Sequence, residues 1–277
     1  MPRRLLSCFG GVRPSSSGAQ GGVSSENAIT ATADLAAEEQ RRGGAVVVEL
    51  FSSQGCATSP AAEAVLSRVG RGEVGRLDVP VIVLAFHVDY WDYTGWKDPF
   101  GSSLWTVRQK AFVEALKLDT MFTPQVVVQG RTQCVANDED AVVSCINAAP
   151  RFPAPTLQAT FQRPSPETLQ VSLSGALRNK IDSHGANVMV ALYENGLVTD
   201  CTKGENKGKV LPNDFVVRCL EKLCFVKDIS GKKTISGTAS FALWDGFVAG
   251  KCGVAIFIQN ASHQIFGAQS FQLPEDL

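Results

Sequence analysis

Ala45-Val-Val-Val-Glu-Leu-Phe-Ser-Ser-Gln-Gly-Cys-Ala-Thr-Ser-Pro60 decides the fold. Ala45 to Phe51 is a β-branched run of strand length, and Ser52-Ser-Gln-Gly55 is a turn. Pro60 to Val69 reads as a helix: Ala61, Ala62, Ala64 and Leu66 favour it, and Val65, Leu66 and Val69 share a face. Pro60 suits the first turn, where its missing N–H costs nothing. Cys56 therefore stands where a strand gives way to a helix.

The pattern continues outward from this corner. Val79 to Phe86 is a second continuous apolar strand, the texture of a parallel strand covered on both faces. An aromatic loop follows from His87 to Ser103, then a helix from Thr106 to Leu116. Thr123-Pro124 precedes a strand at Gln125–Gln129, Gly130-Arg131 turns into a strand at Thr132–Val135, and a helix runs from Asp138 to Ala148 with Asn137 as its N-cap. Strand, helix, strand, helix, strand, strand, helix is the thioredoxin order. The fold class is an α/β thioredoxin-like domain, a mixed sheet flanked by helices, over residues 44–150.

Pro150, Pro153 and Pro155 mark a linker. Beyond it, strands at Thr156–Phe161, Leu169–Ser174, Asn187–Tyr193, Thr234–Leu243, Cys252–Gln259 and Gln264–Leu273 point to a mainly antiparallel β-sandwich-like domain over 151–277. A short helix is predicted from Asn213 to Leu220, and Asn195-Gly196 is a hairpin signal. Residues 1–43, rich in Ser, Gly and Ala, read as a disordered leader.

Composition excludes several classes. Apolar residues are 44%, charged residues 19% and the net charge is −1, so no overall field favours nucleic acid. No stretch reaches the roughly 20 apolar residues of a membrane span. Lys203 to Lys209, broken by Glu205 and glycines, reads as a solvated loop. The start lacks a secretory signal, and the expected compartment is cytoplasmic. Residues 1–25, with Arg3, Arg4 and Arg13 and no acid, leave the chloroplast or mitochondrion as the alternative. The 8 cysteines make no Cys-x-x-Cys and the 3 histidines are scattered, so neither a disulfide framework nor a metal site is expected.

Backbone N–H groups and the macrodipole make a helix start positive, which favours a thiolate there. Cys56 is thus placed for thiol chemistry, whereas Cys134 and Cys145 fall within a strand and a helix and read as small core residues. Ser59 stands where a dithiol enzyme keeps its resolving cysteine. It can donate a hydrogen bond to the Cys56 thiolate but cannot resolve a disulfide. The chemistry left is monothiol, either exchange completed by an outside thiol or sulfenic-acid sensing. In the thioredoxin fold a cis-proline faces the cysteine, and Pro124 has that place in the element order.

His87-Val-Asp-Tyr-Trp-Asp-Tyr-Thr-Gly-Trp-Lys-Asp-Pro-Phe100 follows the carboxyl end of the second parallel strand, as Cys56 follows the first, so both should border one cleft. Trp91, Trp96 and Tyr93 are candidates to shape a substrate surface, with His87 or Asp89 as acid, base or polar anchor. The same aromatics could equally staple a long loop to the sheet.

Val47 to Cys56 resembles the opening of a bacterial and plant family in the thioredoxin-like superfamily, domain-of-unknown-function family 1223. The likeness continues through Ala85–Phe100, Arg108-Gln109, Phe122-Thr-Pro-Gln125 and Gly130-Arg131, then Gly204-Glu-Asn-Lys-Gly-Lys209 and Asp214-Phe-Val-Val-Arg218. It implies a thioredoxin fold and a redox ancestry. That family usually carries Cys-x-x-Cys-Pro, from which Cys56-Ala-Thr-Ser59-Pro60 departs.

The expected function is monothiol exchange or redox sensing by Cys56, leaning to a weak or glutathione-dependent thiol-disulfide oxidoreductase. Ser59, Thr123 and Pro124 assist, protein thiols or glutathione are the partners, and glutathione is the candidate co-substrate. The alternative is a redox-inactive binding or scaffold protein using the aromatic loop.

Overall fold

A computed structural model of the chain describes residues 43–177, 184–227 and 233–277. Nearly all of the leader, and so the readings made on it, lies outside the described residues.

The opening apolar run forms β1 (Val46–Ser52), and α1 (Ser59–Gly70) leads back to β2 (Val81–His87), parallel to β1 from Val46 opposite Val81 to Ser52 opposite His87. After α2 (Ser103–Ala115), β3 (Gln125–Val128) lies antiparallel on the other edge of β1 and β4 (Thr132–Val135) pairs with β3. In α3 (Glu139–Asn147) the N-cap is Asp138, whose carboxylate accepts the Ala141 N–H at 3.0 Å; the cap expected at Asn137 is one residue early.

All 7 residues of β1 are buried because both faces are covered. Val46, Val48 and Leu50 pack with Ala62 and Leu66 of α1 and Ile146 of α3. Val47 and Phe51 pack with Trp105 and Phe112 of α2. A strand covered twice needs no alternation, which is why its sequence is a continuous apolar run. Its one charge, Glu49, is met by a bidentate Arg108 at 2.6 and 2.9 Å, and the Arg108 guanidinium also lies over the rings of Phe86, Phe112 and Phe257.

The second half adds β5 (Thr156–Ser165), β6 (Thr168–Leu177), β7 (Ala186–Glu194), β8 (Leu197–Asp200), β9 (Val210–Asn213), β10 (Val216–Val226), β11 (Lys233–Ala242), β12 (Cys252–Gln259) and β13 (Ile265–Gln272). An 8-stranded sheet runs β13-β12-β7-β10-β2-β1-β3-β4. It crosses the boundary expected near residue 150, so that boundary does not separate two sheets. Ala191, Tyr193, Val217, Ala255 and Phe257 share one core with Val47, Leu84 and Phe86, and all described residues fall in one compact unit. A 3-stranded sheet, β11-β6-β5, covers the far half through Leu169, Val171, Val190 and Ile256, the sandwich-like part of the fold.

The helix expected over Asn213–Leu220 is instead the start of β10. Val216 and Val217 are β-branched, Val216 pairs with Ala85 of β2, and the rest of β10 lies antiparallel to β7. Nor does Asn195-Gly196 close a hairpin between β7 and β8. β8 leaves the large sheet and pairs with β9, and the Asn195 side chain accepts the Phe215 N–H at 2.9 Å.

Candidate functional site

The corner after β1 is held from every side through Gln54. Its N–H donates to the Asp98 carboxylate at 2.7 Å. Its side-chain amide donates to Asn213 at 2.8 Å and Thr199 at 3.0 Å, and its side-chain oxygen accepts the Trp96 indole N–H at 3.1 Å. Its carbonyl accepts from Asn206 at 2.8 Å. Gly55 follows because the chain passes against Trp91: a Cβ there would lie 3.0 Å from the Trp91 Cβ.

Cys56 comes next, with its N–H bonded to the Ser53 carbonyl at 3.1 Å. Its Sγ lies 3.4 Å from the Thr58 hydroxyl and donates to the Thr123 carbonyl at 3.7 Å. The Thr123-Pro124 peptide is cis. The segment carrying it is tied down by Gln109 of α2, whose amide donates to the Phe122 carbonyl at 2.7 Å and the Gln125 side chain at 2.9 Å. Ser59 is buried, and its hydroxyl accepts the Ser53 N–H at 3.4 Å.

Burial by itself would raise the Cys56 thiol. Hydrogen bonds with Ser59, Thr123 and Thr58 outweigh it and hold the thiol below its ordinary pKa. Cys134, Cys219, Cys224 and Cys252 move the opposite way. Burial, with Cys145 alongside, pushes Cys134 up to about 12, and burial pushes Cys252 up to about 12. Cys56 is therefore the thiol most disposed to ionise among those whose shift is resolved.

Cys56 forms the floor of a cleft of about 570 Å³ whose walls include Thr58, Trp91, Tyr93, Thr123 and Glu205. The residue is only 3% exposed, so a reactant must reach down to it. Trp91 is fixed by its indole N–H donating to the Thr123 hydroxyl at 2.7 Å, and its ring stacks on Tyr93 with centroids 6.2 Å apart. Tyr93 is 82% exposed. Beside the floor, Tyr90 has a buried hydroxyl, and burial pushes its phenol up to about 12, with the Cys56 charge adding to the rise.

The structure separates the remaining candidates from this cleft. His87 is fully buried and cannot anchor a substrate. Its Nδ1 lies 2.8 Å from the Asp98 carboxylate and its Nε2 lies 3.3 Å from Glu63, within ion-pair range though off hydrogen-bond geometry. Burial opposes a charge on His87, but Asp98 and Glu63 prevail and hold its pKa up to about 10. Asp89 accepts the Thr106 hydroxyl proton at 2.6 Å, tying the loop to α2. Trp96 sits behind the corner on Gln54 rather than in the cleft. Among the described residues no group of three or more His, Cys, Asp or Glu could hold a metal ion.

Asn206 was hidden in the sequence inside the loop read as solvated. It is fully buried, and its amide donates to the carbonyls of Gln54 and Cys56 at 2.8 and 2.9 Å. Nothing local in Gly204–Lys209 signals this, because both partners lie some 150 residues upstream.

Fold and site together define an α/β protein with a mixed sheet, flanking helices and a buried cysteine at a strand-to-helix corner. The chain belongs to the family described as "Protein of unknown function (DUF1223)", whose model matches residues 47–259. No curated protein matches it. Among solved structures it is similar to a structural-genomics protein from Agrobacterium tumefaciens, with TM-score 0.56 and 23% identity over 84% of this chain and 96% of that one. It is also similar to HBP35 of Porphyromonas gingivalis, with TM-score 0.54 and 15% identity over 83% of this chain and 76% of that one. At these identities the likeness is one of fold. Among the described residues no helix is long and apolar enough to cross a membrane.

Proposed function

We propose that the protein is a thioredoxin-like monothiol protein in which Cys56 carries out thiol-disulfide exchange. The observation that carries this reading is the Cys56 sulfur between the Thr58 hydroxyl and the carbonyl of Thr123, the residue before cis-Pro124, at the floor of a cleft, with its pKa lowered. The order β2-β1-β3-β4, parallel then antiparallel, with α1 leaving the cysteine corner, supports the thioredoxin comparison.

The chemistry follows from having one thiol. The Cys56 thiolate attacks one sulfur of a mixed disulfide; that S–S bond breaks, a new one forms to Cys56, and the other sulfur leaves as thiolate. A second thiolate from outside, such as glutathione, then attacks the Cys56 disulfide. It leaves joined to the first group and restores the Cys56 thiolate. Ser59 supports the thiolate through its hydrogen bond and takes no part in bond exchange.

The test is site-resolved alkylation with iodoacetamide across pH, read by mass spectrometry at Cys56. The expected apparent pKa lies below the free-cysteine value of about 8.5. A value at or above it defeats the proposal.

One observation favours a second reading, a redox-inactive binding protein: Tyr93 is 82% exposed on a stacked ring pair while Cys56 is 3% exposed. On that reading Trp91→Ala abolishes partner capture and Cys56→Ser leaves it intact. On the exchange reading Cys56→Ser abolishes disulfide-linked capture.

A further inference from the structure

Resting on the exchange reading of Cys56, a more specific conclusion comes from the cleft's wall. Among the described residues Glu205 supplies the only carboxylate that borders the cleft, and no lysine or arginine borders it. The carboxylate is exposed, and among the described residues it has no cation partner.

Its place is nevertheless fixed. On one side, Asn206 is locked to the Gln54 and Cys56 carbonyls. On the other, Gly204 has φ +70° and lies so close to Trp96 that a Cβ would come within 2.9 Å of the Trp96 Cβ. The loop is closed on itself by Cys201 N–H to Lys209 O at 2.9 Å and Gly208 N–H to Cys201 O at 2.7 Å. Of the loop's lysines, Lys209 donates to the Asn206 side-chain oxygen at 2.9 Å, while Lys203 and Lys207 are exposed and line no part of the cleft. An exposed acidic residue thus lines the same cleft as the stacked Trp91–Tyr93 pair. Ring faces attract cations, and a carboxylate beside them adds charge of the right sign.

We propose that Glu205 with Trp91 and Tyr93 forms a cation subsite, and that the disulfide Cys56 attacks is flanked by an ammonium or guanidinium group, as in a basic peptide segment. The 3% exposure of Cys56 adds a shape requirement, since the partner enters as a thin extended segment. Glutathione disulfide, net negative, meets Glu205 as a like charge and reacts more slowly as the disulfide of the first step.

The experiment measures second-order rates of mixed-disulfide formation at Cys56, by mass spectrometry, with three small disulfides at low salt. These are cystamine (cationic), 2-hydroxyethyl disulfide (neutral) and dithiodiglycolate (anionic). With cystamine the S–S bond breaks, a Cys56–S–S–cysteamine bond forms and one cysteamine thiolate leaves. The expected order is cationic, neutral, anionic, with the cationic-to-neutral ratio about three- to tenfold and shrinking at high salt. Because the ammonium of cystamine also makes its thiolate a better leaving group, the subsite is read from the change in that ratio: Glu205→Gln lowers it and Glu205→Lys lowers it further.

A fourth arm separates peptide from free amine. A lysine-flanked cysteine peptide, as its disulfide with 2-mercaptoethanol, should react faster than cystamine, because Thr123 and the ring pair can then also be engaged. A wild-type order that is flat or reversed, or one unchanged in both Glu205 variants, overturns the cation subsite. If Cys56 reacts with none of the four disulfides, the exchange reading fails and the subsite with it.

Discussion

Asn206 donates from its side-chain amide to the Cys56 carbonyl oxygen at 2.9 Å, across 150 positions of sequence. The same nitrogen donates to Gln54, so one buried side chain holds both ends of the turn that presents the thiol. Asn206→Ala leaves two carbonyls without this donor in a dry corner, at a cost of about 1–3 kcal/mol. Urea unfolding reads the cost, and site-resolved alkylation should show the Cys56 profile moving or broadening. An unchanged midpoint would mean that the tether contributes nothing.

Ser59 heads the groups that lower the Cys56 pKa, so Ser59→Ala should move the Cys56 alkylation profile to higher pH. The fold should persist, since the hydroxyl lost accepts only a long bond of 3.4 Å from Ser53. Ser59→Cys restores a second thiol one helical turn on. Mild oxidation should then join residues 56 and 59, detected as a linked peptide that the wild type never yields.

Glu49 and Arg108 form a buried ion pair between β1 and α2. Arg108→Met should cost about 3–5 kcal/mol, because it strands a buried carboxylate among Phe86, Phe112 and Phe257. Adding Glu49→Gln should recover much of that loss. A double variant no more stable than the single one would show that packing, rather than the stranded charge, dominates.

His87 links stability to pH. Its folded pKa is held up to about 10, above its ordinary 6.5. The stabilisation is therefore complete below 6.5, shrinks as pH climbs beyond it, and is gone above about 10. Asp98 behaves oppositely. Burial alone would raise its carboxyl, but His87 and the N–H groups of Gln54 and Phe100 lower it. Its contribution is present above the ordinary value of 3.8 and is lost as pH falls through the lower folded value. Urea midpoints from pH 7 to 10 should fall in the wild type and fall less in His87→Gln. Parallel curves would remove His87 from the account.

Local patterns carried the first half of the fold. β1, α1, β2, β3 and β4 lie within a few residues of where apolar runs, Pro60 and the Gly130 turn put them. β10 was misread because Asn213–Leu220 has no period that separates a short helix from a strand, and pairing with β2 and β7 decides it. That Cys56 and Trp91 border one cleft was legible because each sits just beyond a parallel strand end. His87 was misread for the same reason: position next to a strand end does not show which way a side chain points, and this one points at Glu63 and Asp98. Asn206 and Glu205 stand in the family-like stretch Gly204–Lys209, but their places at the site were beyond reach, since the loop is anchored by backbone carbonyls far upstream.

The interleaving of the large sheet has a bearing on synthesis. β10 lies between β7 and β2, and β8–β9 and the loop ending at Lys209 supply the groups that seize Gln54 and Cys56. A chain emerging from the ribosome releases Cys56 long before Asn206, Asn213 and Val216. The nascent segment therefore carries Cys56 in a corner whose carbonyls still lack their Asn206 donor, and only when the last third of the chain has followed is that corner held. Joining distant parts of the sequence in this way slows folding, but it also delays the finished Cys56 corner until the strands and loop that brace it have been made.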